Sequence, residues 1–255
     1  MPKILENRLI EEFKGKDSFS REDLFDFYRY YEPGLKEGTF GWRIYDLKNK
    51  NVIRPIKKGH YVVSQKPIYK AHQISQELIK LAKKLTELFG DAKYCIWESK
   101  WLNEFAKLQA SKSIIIIEIE KDFVESVYYE LKDASISELF LNPDAKTLDF
   151  YIAESAYPVI IKKLITRSPV ASRTEKKVEF NVPLLEKILV DLFAEEKLFY
   201  HLRGSELIHI YENAISSYAV NFTKLFSYAR RRDRESQIKQ FMINHIDHLV
   251  KDIIE

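Results

Sequence analysis

Residues 36–63 read KEGTFGWRIYDLKNKNVIRPIKKGHYVV, and this stretch decides the fold of the N-terminal part. Thr39 is placed to cap a short helix running from Phe40 to about Lys50, with Ile44 and Leu47 facing inward. Val52-Ile53-Arg54-Pro55-Ile56 and His60-Tyr61-Val62-Val63 then read as two strands of a hairpin. The turn Lys57-Lys58-Gly59 joins them, with Gly59 supplying a positive φ. Upstream, Ile4, Leu5, Leu9, Ile10 and Phe13 follow helical spacing until Gly15. Ser20-Arg21-Glu22-Asp23 resembles a capping box with Asp in place of Glu, opening a helix over Leu24, Phe25, Phe27 and Tyr28. Pro33 and Gly34 break that helix. Three helices followed by a two-stranded wing describe a winged helix-turn-helix over residues 1–66.

Charge placement points to a partner. The chain carries 41 basic and 38 acidic side chains, a net of +3. Residues 1–35 hold six basic against eight acidic groups, a net of −2. Residues 36–60 hold Lys36, Arg43, Lys48, Lys50, Arg54, Lys57 and Lys58 against Glu37 and Asp46, a net of +5. The remaining residues balance at 28 of each sign. The whole excess therefore falls on the third helix and the wing, the elements that touch duplex DNA in such a module. Lys57 and Lys58 would neutralise phosphates, and Lys36, Thr39 and His60 border the same face. Trp42 and Arg43 would meet sugars or base edges. The plainer alternative is a solvated lysine face with Trp42 in the core.

Beyond a junction at Gln65-Lys66-Pro67 the pattern alternates helix and strand. A helix is expected over Ile74–Phe89, ended by Gly90, then a strand over Lys93–Trp97 and a helix over Lys100–Leu108. Ser113–Ile119, with four consecutive isoleucines, suits a strand covered on both faces. A helix over Phe123–Leu131 follows, with shorter strand candidates at Ser135–Leu141, Leu148–Ile152 and Val159–Ile161. From Pro183 the pattern is helical to the end. The expected fold is thus α+β overall: the winged helix, then an α/β unit over residues 70–255, with a core to about 180 and a helical tail from 181.

No catalytic constellation stands out. Glu118 and Glu120, at i and i+2 on the isoleucine strand, project the same way. Nucleotidyltransferases hold metal ions with such a pair. The glycine motif that accompanies it is missing near Phe105–Leu108, which favours solvent-facing charges at a strand end. His245 and His248 lack a third convergent ligand, so no metal is expected. The lone Cys95 rules out an intrachain disulfide and reads as a small buried hydrophobe. No GxGxxG or GxxxxGK[ST] occurs, so no cofactor is expected. The charged N-terminus does not read as a signal peptide, and the longest aliphatic run is Ile114–Ile117, so a cytoplasmic protein is expected. A second basic cluster, Arg230, Arg231, Arg232 and Arg234 with Lys224 upstream, is read either as another nucleic-acid or partner contact or as a solvated helix C-terminus.

The segment Val178–Leu192, VEFNVPLLEKILVDL, resembles a motif of AbiEi-type antitoxins, in which a short strand leads into a helix. Pro183, Glu186, Lys187 and Asp191 fall on the pattern. The Lys-Gly-His-Tyr turn of the wing and the Asn221–Ala229 helix with its basic end are similar too. Read from the residues alone, the Pro183 helix is mainly packing: Pro183 sits in its first turn, and Glu186 and Lys187 face outward or pair locally. The resemblance implies a DNA-binding transcriptional regulator, a type IV antitoxin of phage defence. Such a protein represses its own promoter through inverted repeats in double-stranded DNA. It counteracts a nucleotidyltransferase-like toxin, with or without a stable complex. The resemblance also implies that the α/β domain is related to nucleotidyltransferases but lacks their active site. The rival readings are a divergent metal-dependent nucleotidyltransferase using Glu118 and Glu120, and a winged-helix protein-interaction module.

Overall fold

Ser20 closes a strand and opens a helix at once. In the computed structural model, β1 (Phe19–Ser20) pairs antiparallel with β3 (His60–Val63), and α2 (Arg21–Tyr31) starts at the next residue. Residues 3–254 are described apart from 17, 51, 58, 65, 135, 137 and 153, as are all their side chains except those of 3, 56, 57, 145, 149, 252 and 253. The Ser20 hydroxyl accepts from the Asp23 N–H at 3.0 Å, and the Asp23 carboxylate accepts from the Ser20 N–H at 2.7 Å. This is the anticipated capping box. The Arg21 N–H, otherwise an orphan of the first turn, donates to the Gly59 carbonyl at 2.7 Å. Gly59 has φ +77°, which suits the hairpin turn to glycine.

The first helix, α1, spans Lys3–Phe13, with Gly15 beyond it at φ +85°. The third, α3, spans Glu37–Asn49 and so begins earlier than the pattern suggests. Lys36 is its N-cap residue, without a side-chain capping bond, and Thr39 lies exposed inside the helix rather than at its cap. Arg21 explains the extra turn: its guanidinium donates twice to Glu37, at 2.7 and 3.2 Å, pinning an acidic residue at the helix N-terminus. β2 (Ile53–Lys57) pairs with β3, so the small sheet runs β1-β3-β2. Strand β1 is too short for any alternation to announce it. Leu9, Phe13, Leu24, Tyr28, Phe40 and Leu47 form the core between helices and sheet.

A second, larger core fills the rest of the chain. After α4 (Gln76–Phe89), capped by the Ser75 hydroxyl, come β4 (Tyr94–Glu98) and β5 (Ile115–Ile119). Next are α5 (Val124–Asp133), β6 (Leu139–Leu141), the single turn α6 (Ala145–Thr147) and β7 (Val159–Lys163). The sheet order is β4-β5-β7-β6; β5, β7 and β6 are parallel and β4 is antiparallel. β5 is buried along its whole length, as a run of isoleucines requires.

Several expectations change here. Lys100–Leu108 is not a full helix but a 3₁₀ segment, Ser99–Glu104. Leu148–Ile152 is a π-helical turn rather than a strand, because Asp144 caps the preceding turn through the Thr147 N–H and starts the chain coiling. The strand candidate at 135–141 shortens to β6, and Ser135 lies outside the described residues, as does Gln65 of the junction. An additional hairpin appears, β8 (Val170–Glu175) and β9 (Val178–Pro183). Its two-residue turn is Lys176-Lys177 with φ +48° and +67°, the mirror-image geometry that normally calls for Asn or Gly, so the sequence conceals it. Pro183 ends β9, and helix α7 (Leu185–Ala194) begins beyond it.

Beyond a 3₁₀ turn at Tyr200–Leu202, the described residues form α8 (Ser205–Ser217), α9 (Phe222–Arg231) and α10 (Glu235–Ile254), the last interrupted by non-helical backbone at Ile246. Helix α10 lies against β2. The Ala219 N–H donates to the Pro67 carbonyl at 2.9 Å, and Lys66 reaches the Ile215 carbonyl at 2.6 Å, fastening the connector to the α8 end. The result is a mixed helix-and-sheet, α+β fold. Among the described residues no helix is long and apolar enough to cross a membrane.

The two serine/threonine positions separate experimentally. Ser20→Ala removes a working cap and is expected to lower unfolding stability in urea by about 1 kcal/mol. Thr39→Ala, at an exposed interior helix position, is expected to stay within about 0.5 kcal/mol of wild type.

Candidate functional site

Helix α3 divides cleanly. Phe40, Ile44 and Leu47 recur at helical spacing and are buried. The opposite face carries Gly38, Gly41, Trp42 and Tyr45, all exposed. Trp42 is 73% exposed and Tyr45 is 58% exposed; their rings meet edge-on with centroids 5.7 Å apart. The core alternative for Trp42 is therefore overturned. Neither glycine of this face has an atom within 4 Å of where a Cβ would sit, so a partner can approach the backbone closely.

The basic residues of 36–60 are less available than their count implies. Arg43 donates to Glu32 at 2.6 Å, lies over the Tyr28 ring and is only 17% exposed. Lys50 bridges Glu6 and Asp46, at 2.6 and 2.8 Å. Lys48 lies over the Tyr61 ring. Arg54 is half-buried where β2 faces Ala219–Asn221, and burial lowers the pKa values of Lys48 and Arg54. Lys36 and Thr39 are exposed beside the Trp42 face, and His60 starts β3 opposite Ser20. The Lys57 backbone closes β2, its side chain is not among those described, and Lys58 lies outside the described residues.

The second basic cluster also divides. Arg230 is exposed and paired with Glu235, and Arg231 donates to the Thr166 hydroxyl at 2.8 Å. Lys224 is exposed in the first turn of α9, and the Arg234 backbone N–H closes the α9 end by donating to Ala229. Arg232, expected on a solvated terminus, instead turns inward to Glu195 and Asp191.

Arg232 leads into a buried charge network that the sequence reading missed. Lys187 on α7 is fully buried and donates to both Glu118 on β5 and Asp191 one turn along α7. Tyr228 on α9 donates to Asp191 at 2.8 Å. Lys162 on β7 lies 3.6 Å from Glu118 and donates to Glu195 at 2.9 Å. Three acids thus face three bases. Glu118, expected to face solvent, is in the core, and so is Lys187, expected to face outward or pair locally: it does pair one turn away, with Asp191, but buried. Glu186 is buried as well and accepts from the Asn221 N–H at 2.7 Å. Glu120 lies past the end of β5, where it accepts from the Lys93 N–H at 3.1 Å, so the two strand-end carboxylates do not converge. The missed signal lay in α7 itself. Between Leu185 and Leu192 every residue except Glu186, Lys187 and Asp191 is apolar, so the stripe that Lys187 and Asp191 share is too narrow for a solvated face. A charge on such a helix must be buried and paired.

Electrostatics follow this geometry. Burial alone would depress Lys187, but Asp191 and Glu118 outweigh it and hold the ammonium well above its ordinary 10.5. Burial alone would raise Asp191, yet Lys187, Lys162 and Arg232 bring it below 3.8. Glu195 is likewise held below 4.5, because Lys162 and Arg232 outweigh its burial.

Two larger cavities flank the sheet. One of about 1090 Å³ lies at the start of α4, where Glu98, Glu104, Lys100 and Arg173 give it mixed charge. The other, of about 510 Å³, lies beside the network at Lys162 and Arg232. Among the described residues no three of His, Cys, Asp and Glu gather as metal ligands.

These features define an α+β protein with an exposed aromatic helix face on its N-terminal core and a charge-locked second core. Residues 39–248 match the model of a family of unknown function, DUF6577, and the chain belongs to that family. The matched span begins inside α3 and takes in the β2–β3 hairpin together with nearly all of the larger core. Comparison with curated proteins finds no match.

Replacing Lys187 by Met leaves Glu118 and Asp191 buried without the cation that bonds both, and with only Lys162 and Arg232 at 3.6 Å. A loss of about 3–5 kcal/mol at neutral pH is expected in chemical denaturation. The pH dependence should weaken as well. In wild type, the depressed Asp191 and Glu195 contribute stability that is lost as pH falls through their folded values, and raised Lys187 contributes stability lost as pH rises past 10.5. In Lys187→Met, Asp191 loses the strongest of the three cations that hold it down, so its contribution fades less on acidification and the deficit should narrow. A deficit that widens in acid would count against the pairing.

Proposed function

We propose that this protein is a cytoplasmic DNA-binding transcriptional regulator whose N-terminal unit acts as a winged helix on double-stranded DNA. In this reading α3 enters the major groove and the β2–β3 turn reaches the backbone. The observation that carries it is the outward face of α3. A helix anchored by Phe40, Ile44 and Leu47 presents exposed Trp42, Tyr45, two glycines and Lys36, with a hairpin at its side. Aromatic rings there stack on sugars or contact thymine methyls, and Lys36, Lys57 and Lys58 supply phosphate contacts. Arg43, tied to Glu32, positions the helix rather than reading a base. The resemblance of Val178–Leu192 to AbiEi-type antitoxins extends the proposal: repression of its own promoter through inverted repeats, and opposition to a nucleotidyltransferase-like toxin. The larger unit would then be a nucleotidyltransferase relative without the active site. Consistent with that, Glu118 is occupied by Lys187 and does not meet Glu120.

One observation favours a second reading. Arg43 and Lys50 are already neutralised within the molecule, while Trp42 and Tyr45 are open. Such a face suits a protein partner as well.

Fluorescence tests both. The chain has three tryptophans, and Trp97 and Trp101 are buried, so Trp42 reports on its own surroundings. The chain's own upstream duplex is expected to shift Trp42 emission and to be retarded in a gel shift. Lys57→Glu/Lys58→Glu is expected to weaken binding and flatten the salt dependence by about 1 logarithmic unit for each phosphate left unneutralised. Equal affinity of wild type and the double variant at moderate salt would sink the wing assignment. Absence of any DNA binding, with a protein partner captured by wild type but not by Trp42→Ala, would transfer the face to protein contact.

A further inference from the structure

The cavity beside the charge network opens at the carboxyl ends of two parallel strands. Lys162 and Lys163 close β7, and Asn142 and Pro143 follow β6. Open sheets with parallel strands bind their ligands there, because adjoining chains diverge and leave a crevice. Its volume of about 510 Å³ falls within the range that holds small molecules. Its walls differ in character. Lys162, Lys163, Lys197, Arg232 and Arg234 supply five positive charges against Glu195 and Glu196. Glu195 is already engaged by both Lys162 and Arg232, so the remaining positive charge faces the cavity largely uncompensated. Leu148, Ile160 and Leu198 give the other side an apolar lining. The Arg232 Nε is buried 3.6 Å from the Asp191 carboxylate, so charge rather than a hydrogen bond sets this guanidinium at the cavity wall.

We propose that this cavity binds a phosphorylated small molecule of nucleotide size, its phosphates against Lys163, Lys197 and Arg232 and its organic part against Leu148, Ile160 and Leu198. A half-open crevice with an apolar wall suits a discrete ligand better than a nucleic-acid strand, which needs a charged track that continues beyond one pocket. The buried network serves the site by fixing Arg232 and Lys162, whose side chains are 15% and 14% exposed, so that little side-chain entropy remains to be lost on binding. The site is independent of the α3 face.

Titration calorimetry on the full chain with ATP, GTP, inorganic pyrophosphate and adenosine decides the matter. Saturable binding of at least one nucleotide, with none of adenosine, is expected. Lys163 and Lys197 are exposed and outside the buried network, so Lys163→Glu/Lys197→Glu should melt like wild type without ligand. The same variant should bind the nucleotide at least about tenfold more weakly, the equivalent of removing one charge-assisted hydrogen bond. Trp42→Ala should bind the nucleotide like wild type, which separates this site from DNA binding. No saturable nucleotide binding at millimolar concentration would overturn the proposal, as would equal affinity in the charge-reversed variant. Binding of short oligonucleotides without any mononucleotide would also overturn it, in favour of a nucleic-acid contact.

Discussion

One ammonium group holds the larger half of this molecule in register. Lys187 sits without solvent contact between Glu118 and Asp191, and each of the three would be costly to bury alone. Because Glu118 belongs to an inner strand and Asp191 to α7, pairing both with Lys187 fixes the register of α7 against β5. Tyr228, bonded to Asp191, extends the constraint to α9, and Arg232 extends it to the turn into α10. Apolar packing between α7 and the sheet supplies cohesion but tolerates sliding. Charges that must meet do not.

Net charge and available charge are different quantities in the N-terminal unit. Seven basic residues between 36 and 60 look like a phosphate-binding surface when summed. Folding brings Glu32, Glu6 and Asp46 against two of them and turns Arg54 toward the second core. Counting side chains along a sequence cannot include partners supplied by another helix. What remains outward on α3 is aromatic and glycine-rich more than basic. That changes the character of the face from long-range electrostatic attraction toward close contact.

Legibility follows the range of the forces involved. Gly15, Pro33-Gly34 and Gly59 mark real breaks, and the Ser20 capping box is a four-residue affair, so the first three helices and the hairpin can be read locally. Amphipathic spacing likewise reveals α4, α5 and α9. Thr39 misleads because a good capping residue competes with Glu37, whose partner Arg21 lies 16 residues away. Strands β8 and β9 stay hidden because two lysines occupy a turn that usually advertises itself with glycine. The partner that defines Lys187 stands 69 residues away. No periodicity joins them; the spacing shows only the i,i+4 pair with Asp191, and the narrowness of that stripe on an otherwise apolar α7 hints at burial.

Strand β2 lies at the rim of its sheet, with β3 on one side and, among the described residues, no further strand on the other. Unpaired rims invite other chains to add a strand, and proteins blunt them with proline or cover them. Here Pro55 removes one donor from the rim, and α10, from the far end of the chain, lies against the strand. The last helix is thus a guard for the first sheet. Cutting the chain after the hairpin would release a fragment with a complete core and an open rim, prone to self-association; the two halves are separable as cores but not as surfaces.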